Sequence, residues 1–328
     1  MDALSDMLRV VGLTGGVFLD ASFTAPWSVA GKVSPELCAA FMVEPREIVG
    51  FHYVVEGSFE LGIEGHPPVR ISAGQAVMLP HNNIHTFGSS VSLRAIPASD
   101  LIELPGQSGV PTLVHGGGGA PTRLICGYLG GNENLAVLLS GLPTIMVMDV
   151  AGMPGGAWIG QTFAYAAQTV RDQDAGGATV VTKLSELLFV ESVRHHLTTL
   201  GPGETGWLAA LRDPMIGRAL ALLHARVAQA WTAEALAGEV NMSRSAFADR
   251  FTAIVGQPPM RYLTAWRMRL ARHKLSETRS TVAQIAFDVG YESEAAFARA
   301  FRRECGAPPA TWRRTSATRG SVPGIAAD

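Results

Sequence analysis

Cysteine is scarce in this chain, with three among 328 residues: Cys38, Cys126 and Cys305. Three widely spaced thiols exclude a disulfide framework and a cysteine-rich zinc module. A reducing compartment fits this usage best, so we expect a cytoplasmic protein.

Long apolar runs are missing as well. The long uncharged stretch from Val150 to Val170 is interrupted by Pro154 and four glycines and predicts no membrane span. The first residues carry Asp2 and Asp6 and lack the basic start of a signal peptide, so we expect no secretion and no membrane association. With 47% apolar and 16% charged positions, the composition is that of a globular protein, and the length favours two domains.

A net positive charge is confined to residues 216–314. Residues 1–215 carry 10 Lys and Arg against 19 Asp and Glu, a balance of −9. Residues 216–314 carry 15 against 8, a balance of +7, and 14 of those 15 are arginine. Arginine forms bidentate contacts with phosphate and guanine, which favours nucleic acid as the partner, although a solvated basic face has the same composition.

An internal repeat runs through this basic half. TAEALAGEV, which starts at Thr232, aligns with TVAQIAFDV, which starts at Thr281, at an offset of 49. One residue is inserted in the following turn, and the offset becomes 50. The further matches are Ser243 with Ser293, Phe247 with Phe297, Phe251 with Phe301, Gly256 with Gly306, Pro258-Pro259 with Pro308-Pro309, and Tyr262 with Trp312. So many matches at one offset indicate a duplicated structural unit.

Each copy predicts two short helices joined by a tight turn. The expected N-cap residues are Thr232 and Ser243 in the first copy and Thr281 and Ser293 in the second. Asn241 and Gly290, between the helices, tolerate the left-handed conformation that ends a helix. This arrangement is typical of a helix-turn-helix, whose second helix enters the DNA major groove, although a hairpin used only for packing gives the same pattern.

The segment between the copies predicts one long helix, which begins at Pro258-Pro259 and ends at 276–280. About 17 residues at about 1.5 Å each span about 25 Å, which can hold two recognition helices near the ~34 Å repeat of successive major grooves. Its arginines, open to either phosphate contact or simple solvation, are Arg261, Arg267, Arg269 and Arg272.

The stretch from Met215 to Arg314 resembles the AraC/XylS family of bacterial transcription regulators. The resemblance rests on VGYESEAAFARAF, GQPPMRYLTAWRMRLA and the closing GAPPATWRR. It implies a DNA-binding domain of two helix-turn-helix units joined by a rigid helix, with double-stranded promoter DNA and RNA polymerase as partners.

This resemblance assigns base-contacting positions in both units. They fall on Arg244, Ser245, Ala248 and Asp249 in the first unit and on Glu294, Ala295 and Arg299 in the second. Asp249 departs from the basic or amide residue that many relatives carry. Because an acidic side chain can accept a hydrogen bond from cytosine and is repelled by phosphate, no target sequence is transferred from other family members.

Short β-prone runs alternate with turns in the acidic half. LCAAFMV, GFHYVVEG, SFELGI, PVRI, AVMLP and IHTF lie between Leu37 and Phe87, a spacing that predicts a small barrel or jelly roll. The positions that resemble the cupin pattern of glycine, histidine and then P-x-x-x-x-H are His52, Gly57, Gly74, Pro80 and His85. The resemblance implies a cupin-like sensor domain for a small-molecule, metal or redox signal.

The cupin pattern is depleted relative to its enzymatic form. Gly50 occupies the first position of the usual His-x-His pair, Gln75 replaces the usual aspartate, and Asn82 stands where a glycine is typical. A redox or hydrolytic metal site generally needs three or more side-chain ligands with an open position. The depletion therefore argues against catalysis, and we expect no catalytic residues.

His52 and His85 are the candidate ligands for a divalent metal such as zinc. A third ligand would come from His81 or Glu56. In the alternative interpretation each histidine is half-buried and makes a single hydrogen bond. Because side chains alternate along a strand, Glu56 is expected on the same face as His52.

Two helical patterns follow, near 156–170 and 176–200. The second has apolar residues on one face: Val181, Leu184, Leu187, Leu188 and Val193. Its sequence KLSELLFVESVRHHL resembles the segment that links cupin-type effector domains to AraC-type DNA readers and mediates dimerisation, so we expect a homodimer. The alternative is that this face packs only on its own barrel. Gly201-Pro202-Gly203 reads as a linker.

The cysteines have two interpretations. Cys38 and Cys126 lie on apolar, β-like runs, which predicts buried and inert thiols, and Cys305 is expected to pack at the end of a helix. Redox sensing is the alternative for Cys126, because relatives with effector domains of this kind include oxidant sensors.

These patterns predict an α+β protein: a cupin-like β-barrel with a helical dimerisation segment, then an all-α domain of two helix-turn-helix units joined by a long helix. The expected boundaries are 1–154 for the sensor, 155–203 for the dimerisation segment and linker, 204–315 for the DNA-binding domain and 316–328 for a flexible tail. The function expected is sequence-specific regulation of transcription, modulated at the cupin-like domain. The alternative is a metal-dependent cupin enzyme, an oxygenase or isomerase, with a helical appendage.

Overall fold

The computed structural model describes residues 2–13, 18–33, 45–102, 111–150, 152–153, 158, 161–163, 165, 177–201 and 203–320. They form two compact units. The β unit comprises residues 13–132 and 142–196, and the helical unit comprises residues 1–12, 133–141 and 197–328. No helix within the described part of the chain combines the length and apolar character needed to cross a membrane.

The strands of the β unit form two sheets. In chain order they are β1 (Phe18–Thr24), β2 (Ser28–Gly31), β3 (Glu47–Glu56), β4 (Ser58–Gly62), β5 (Val69–Ser72), β6 (Gln75–Leu79), β7 (His85–Gly88), β8 (Ile96–Pro97), β9 (Thr112–Gly116), β10 (Pro121–Gly131) and β11 (Met146–Asp149). One sheet has the order β11-β6-β3-β10-β1-β9 and the other β5-β4-β7-β2-β8. A short 3-10 helix, Ala98–Asp100, follows β8.

The core of the β unit combines side chains from both sheets. Phe23 of β1 stacks on Trp27 with ring centroids 3.8 Å apart, and Phe87 of β7 packs edge-on against both. Alternation along β4 buries Phe59 and Leu61 in the same cluster. The predicted small barrel or jelly roll is confirmed, with strands at GFHYVVEG, SFELGI, PVRI, AVMLP and IHTF. The predicted strand LCAAFMV, with Cys38, lies outside the described residues.

Helices make up the other unit. They are α1 (Ala3–Val11), α2 (Leu135–Leu139), α4 (Trp207–Arg212), α5 (Pro214–Ala225), α6 (Ala233–Glu239), α7 (Arg244–Val255), α8 (Pro259–Glu277), α9 (Val282–Asp288), α10 (Glu294–Cys305) and α11 (Pro309–Gly320). The helix α3 (Gly177–Thr199) lies between α2 and α4 in the chain and belongs to the β unit up to residue 196. Of the helix predicted near 156–170, the described residues 158, 161–163 and 165 are helical.

The duplicated sequence forms two helix-turn-helix units, α6–α7 and α9–α10, joined by α8. The predicted caps are confirmed, because the side chains of Thr232, Ser243, Thr281 and Ser293 each accept a hydrogen bond from a backbone N–H of the helix that follows. Asn241 and Gly290 have the expected positive φ, 54° and 84°. The helix caps and the turns are therefore the same in both copies of the repeat.

Aromatic packing repeats at the same offset. Phe251 meets Tyr262 edge-on with ring centroids 5.8 Å apart, and in the second copy Phe301 meets Trp312 at 6.0 Å. The prolines at the two equivalent positions, Pro259 and Pro309, each begin a helix. Each recognition helix is thus held by the helix that follows it.

A buried polar network links α4, α5 and α8. Tyr262 Oη accepts a hydrogen bond from Trp207 Nε1 at 2.7 Å and donates its single hydrogen to His224 Nε2 at 2.7 Å. The His224 ring stacks on Trp266 with ring centroids 3.9 Å apart. Burial lowers the pKa of His224 to about 3, so this imidazole is neutral at pH 7.

The helical unit draws on three separate stretches of chain. Asn134 Nδ2, at the start of α2, donates to Val10 O of α1 at 3.1 Å. Arg272 of α8 donates to Glu133 Oε1 at 2.7 Å and to Asn134 Oδ1 at 2.9 Å. This division differs from the expected sensor boundary of 1–154, because α1 and α2 lie within those residues but belong to the helical unit.

Two of the four arginines of α8 bind the protein itself, so neither phosphate contact nor simple solvation describes them. Arg267 donates to Val227 O at 3.0 Å and to Gln229 O at 2.8 Å, and Arg272 is engaged as described above. Arg269 is partly buried, whereas Arg261 is exposed. Phosphate contact or free solvation is therefore confined to Arg261 in this set.

Gly290 provides a test of the turn in the second helix-turn-helix unit. A Cβ there would lie 2.8 Å from backbone atoms of Ala228 and 2.6 Å from the Arg267 guanidinium, at a φ of +84°. We expect Gly290→Ala to lower the free energy of unfolding by at least about 2 kcal/mol, since the left-handed backbone strain and the clash add. The measurement is chemical denaturation of the full chain, followed by helical circular dichroism.

The matched control is the same substitution at Gly238, in α6, where an added Cβ meets nothing within 4 Å. Gly238→Ala should raise stability by about 0.5–1 kcal/mol, because alanine has the higher helix propensity. Equal effects of the two substitutions would contradict this account of Gly290.

Candidate functional site

The two recognition helices, α7 and α10, expose one face each. Phe247 and Phe251 are fully buried on α7, and so are Phe297 and Phe301 on α10. The residues predicted to contact bases lie away from these phenylalanines: Arg244, Ser245, Asp249, Glu294, Ala295 and Arg299 are exposed, and Ala248 is half-buried. All seven side chains are therefore at or near the solvent face of a helix in a helix-turn-helix unit.

Arg250 of α7 does not share this freedom. Its Nε and Nη2 donate to Asp213 Oδ2 at 3.0 and 2.6 Å, while Asp213 also caps the N-terminus of α5. Partial burial opposes ionisation of Asp213, but the bonds from Arg250 and from two backbone N–H groups outweigh it and lower the pKa of the carboxyl. The sequence Asp213-Pro214 signals the helix start, yet nothing local to it reveals the arginine partner.

A second candidate site is a cavity of about 100 Å³ inside the β unit. It is lined by β1, β3 and β10 of one sheet and by β2 and β7 of the other. Most of its lining is apolar, and its buried polar side chains include His52 and His85, each only 7% exposed. The pair singled out by the cupin-like pattern therefore lies at a cavity wall.

The imidazoles of His52 and His85 contact each other directly. Their Nε2 atoms are 2.9 Å apart, and His85 Nδ1 lies 2.9 Å from Asn83 O. Since a carbonyl oxygen only accepts, His85 carries its proton on Nδ1 and its Nε2 is an acceptor. His52 must therefore donate from Nε2, which leaves His52 Nδ1 as a bare acceptor.

Both imidazoles are neutral at pH 7. Burial lowers the pKa of His52 well below 6.5, and the neighbouring His85 lowers it further. Burial also lowers the pKa of His85, opposed by the hydrogen bond to Asn83. A neutral pair matches the two tautomers assigned by the hydrogen bonds.

The expected third metal ligands lie elsewhere. His81 Nε2 donates to Leu142 O at 3.0 Å, and Glu56 is exposed at the end of β3. No group of three or more histidine, cysteine, aspartate or glutamate side chains within the described ranges is placed to hold a metal ion. Two imidazoles supply fewer ligands than a zinc site uses, so the donor set around the cavity does not fit zinc as it stands.

Cys126 also lines the cavity, opposite His52 in the β3–β10 register. It is fully buried, and burial raises the pKa of its thiol, with a smaller contribution from Asp20. Because the thiolate is the reactive form, this environment favours the inert-thiol interpretation over redox sensing. Cys305 packs against the second helix-turn-helix, and burial raises its pKa to about 11.

The apolar face of α3 is covered within a single chain. Leu184, Leu188 and Val193 are all buried, and Leu187 is half-buried. Val181 lies among the residues whose side chains are not described. This burial favours the alternative in which the face packs on its own chain.

The histidine pair predicts how stability responds to pH. An unfolded histidine binds a proton below about pH 6.5, while the folded pair stays neutral to lower pH. We therefore expect stability to be highest above pH 6.5 and to fall as the pH is lowered, by up to about 1.4 kcal/mol per pH unit for each histidine. His52→Gln should flatten this slope in urea denaturation between pH 7 and 5.

His66→Gln is the matched control, because His66 is exposed in a turn. The contribution of His224 has the same sign and cancels in the comparison. An unchanged slope in His52→Gln would show that the pKa of His52 is not lowered in the folded state.

Two protein families match the chain, and both matches agree with this architecture. The family described as Cupin matches residues 2–198, and the family described as Helix-turn-helix domain matches residues 236–315. A solved DNA-binding domain of AdpA, in complex with a target DNA, is 29% identical, with 33% of this chain and 96% of that chain covered and a TM-score of 0.32.

Curated relatives extend over nearly the whole chain. A putative AraC-like transcription regulator from Streptomyces lividans is 32% identical over 278 residues, 82% of this chain and 88% of the relative. Another from Streptomyces antibioticus is 30% identical, covering 96% and 99%. The HTH-type transcriptional regulator AlkR from Acinetobacter baylyi is 28% identical, covering 96% and 100%. The chain therefore belongs to the AraC-type transcription regulators, with an N-terminal cupin domain and a C-terminal helix-turn-helix DNA-binding region.

Proposed function

We propose that this regulator reads two segments of a promoter with the exposed faces of α7 and α10. The residues in base contact would be Arg244, Ser245, Ala248 and Asp249 from α7 and Glu294, Ala295 and Arg299 from α10. The observation that carries the proposal is the repeated geometry, in which each buried phenylalanine pair turns the other face of its helix to solvent. Arginine suits guanine, and Asp249 suits the amino group of cytosine.

The surrounding charge supports the same surface. Arg302 and Arg303 are exposed in the last turns of α10, and Arg261 is exposed on α8. Exposed arginines of this kind bind phosphates without reading sequence and make affinity depend on salt. Arg250, Arg267 and Arg272 are excluded from this role because their guanidinium groups bind the protein.

We further propose that occupancy of the cavity in the cupin domain modulates DNA binding. The strand β10 carries Cys126 and Tyr128 at the cavity wall and continues along the chain to Glu133 and Asn134. Those two residues bind Arg272 on α8, the helix between the two recognition helices. A change in β10 at the cavity can therefore reach α8 through consecutive residues of one chain.

Four further properties are proposed from the family alone. We propose that the protein forms a homodimer, contacts RNA polymerase, acts in the cytoplasm and has no enzymatic activity. Because Leu184, Leu188 and Val193 of α3 are buried in a single chain, we expect a dimer to use other surfaces. A divalent metal at His52 and His85 stays a prediction, which metal analysis of the purified protein tests.

Arg299 tests the proposed readout. We expect Arg299→Ala to weaken binding to a selected promoter fragment by about 1–3 kcal/mol if its guanidinium contacts a guanine edge, and to relax specificity at one position of the site. The measurement is fluorescence anisotropy with the selected fragment and with variants of each base pair.

The control is Arg194→Ala, which removes the same charge from α3, where Arg194 pairs with Glu191. It should leave both affinity and its salt dependence unchanged. A loss in Arg299→Ala that is uniform across all sequences would assign Arg299 to a phosphate, and no loss at all would contradict the proposed docking.

A further inference from the structure

The histidine pair at the cavity wall has one unsatisfied polar atom. His52 is only 7% exposed, and its Nδ1 is buried without a hydrogen-bond partner among the described residues. A buried acceptor without a donor is unfavourable, because it has lost its hydrogen bond to water without a replacement. The rest of the histidine pair is satisfied, since His52 Nε2 donates to His85 and His85 Nδ1 donates to Asn83 O. One lone pair therefore lacks a donor.

The tautomers determine which kind of group can pair with this atom. Because His52 Nε2 must carry the proton, Nδ1 can only accept. A hydroxyl or an N–H group can donate to it, whereas an ionised carboxylate cannot. A carboxylate would also lose its hydration beside two uncharged imidazoles. Lys32 is a cation at the cavity wall, but it is exposed to solvent, so its attraction for a buried carboxylate is weakened by water.

Size and lining restrict the ligand further. The cavity holds about 100 Å³, of the same order as an engineered apolar cavity of about 150 Å³ that binds benzene. Its walls include Phe51, Phe87 and Leu19. The Phe87 ring lies 4.7 Å from that of His52 between centroids. A sugar has more polar groups than these walls can satisfy, whereas one aromatic ring matches the volume.

We propose that the cavity binds a small, neutral, ring-sized apolar molecule with a single hydrogen-bond donor, of which phenol is the simplest example, and that His52 Nδ1 accepts its hydrogen bond. This inference names the chemistry of the effector. It rests on the proposed function only for the claim that occupancy alters DNA binding.

The test compares phenol, benzene and benzoate on the full-length protein by isothermal titration calorimetry at pH 7.5. Phenol should bind about tenfold more tightly than benzene, and benzoate should bind more weakly than either. In His52→Phe the order should invert, because the hydroxyl of phenol would then be buried without a partner. The same substitution at the exposed His66 is the control and should leave the order unchanged.

A second measurement keeps the proposal testable if His52→Phe fails to fold. Nitrogen NMR of histidine-labelled wild-type protein should show one unprotonated Nδ1, assigned to His52, whose resonance moves toward the protonated value with phenol and not with benzene. Equal affinities for phenol and benzene, a preference for benzoate, or zinc that binds stoichiometrically and blocks phenol would each overturn the proposed ligand class.

Gel shifts with phenol separate this inference from the proposed function. Phenol that binds with the expected preference but leaves DNA affinity unchanged would support the ligand class and contradict the effector role. DNA binding that continues normally in a protein without any preference for phenol would contradict the ligand class and leave the DNA-reading function standing.

Discussion

The packing of two phenylalanine pairs is the interaction on which the DNA-reading half depends. Phe247 and Phe251, and at the same offset Phe297 and Phe301, are fully buried. Each pair fixes the rotation of its recognition helix, because burying residues i and i+4 leaves only the opposite face for solvent. The second pair joins Met268, Ala271 and Leu275 of α8 in one cluster. The exposed faces of α7 and α10 are therefore consequences of this packing.

The helix α8 has a structural role, because two of its arginines bind neighbouring segments of the chain. Arg267 binds two backbone carbonyls of the loop after α5, and its guanidinium lies 5.8 Å from the centroid of the Tyr291 ring. Arg272 binds Glu133 and Asn134 and lies over Trp312. These contacts place cationic groups at positions where they hold neighbouring segments to α8. The high arginine content of this region therefore contributes to folding as well as to DNA binding.

The cavity depends on a different constraint, the burial of two neutral imidazoles. Burial disfavours the charged form of each ring, and Asn83 then selects the tautomer of His85, which in turn selects that of His52. One backbone carbonyl therefore determines that the remaining nitrogen of the pair is an acceptor. The chemistry of the cavity follows from this chain of hydrogen bonds more than from the identity of the two residues.

Local sequence determined the caps, the turns and the duplicated helix-turn-helix units, because N-cap bonds, left-handed turns and the spacing of apolar residues act over a few positions. It also pointed to the cavity through His52 and His85, and to several of the strands. Only the tertiary structure decided that α1 and α2 join the helical unit, that Arg250 and Arg272 are engaged, and that His81 and Glu56 lie away from the pair. Those outcomes depend on contacts between residues 37 to 139 positions apart, or on the burial that such contacts create, and no local pattern encodes them.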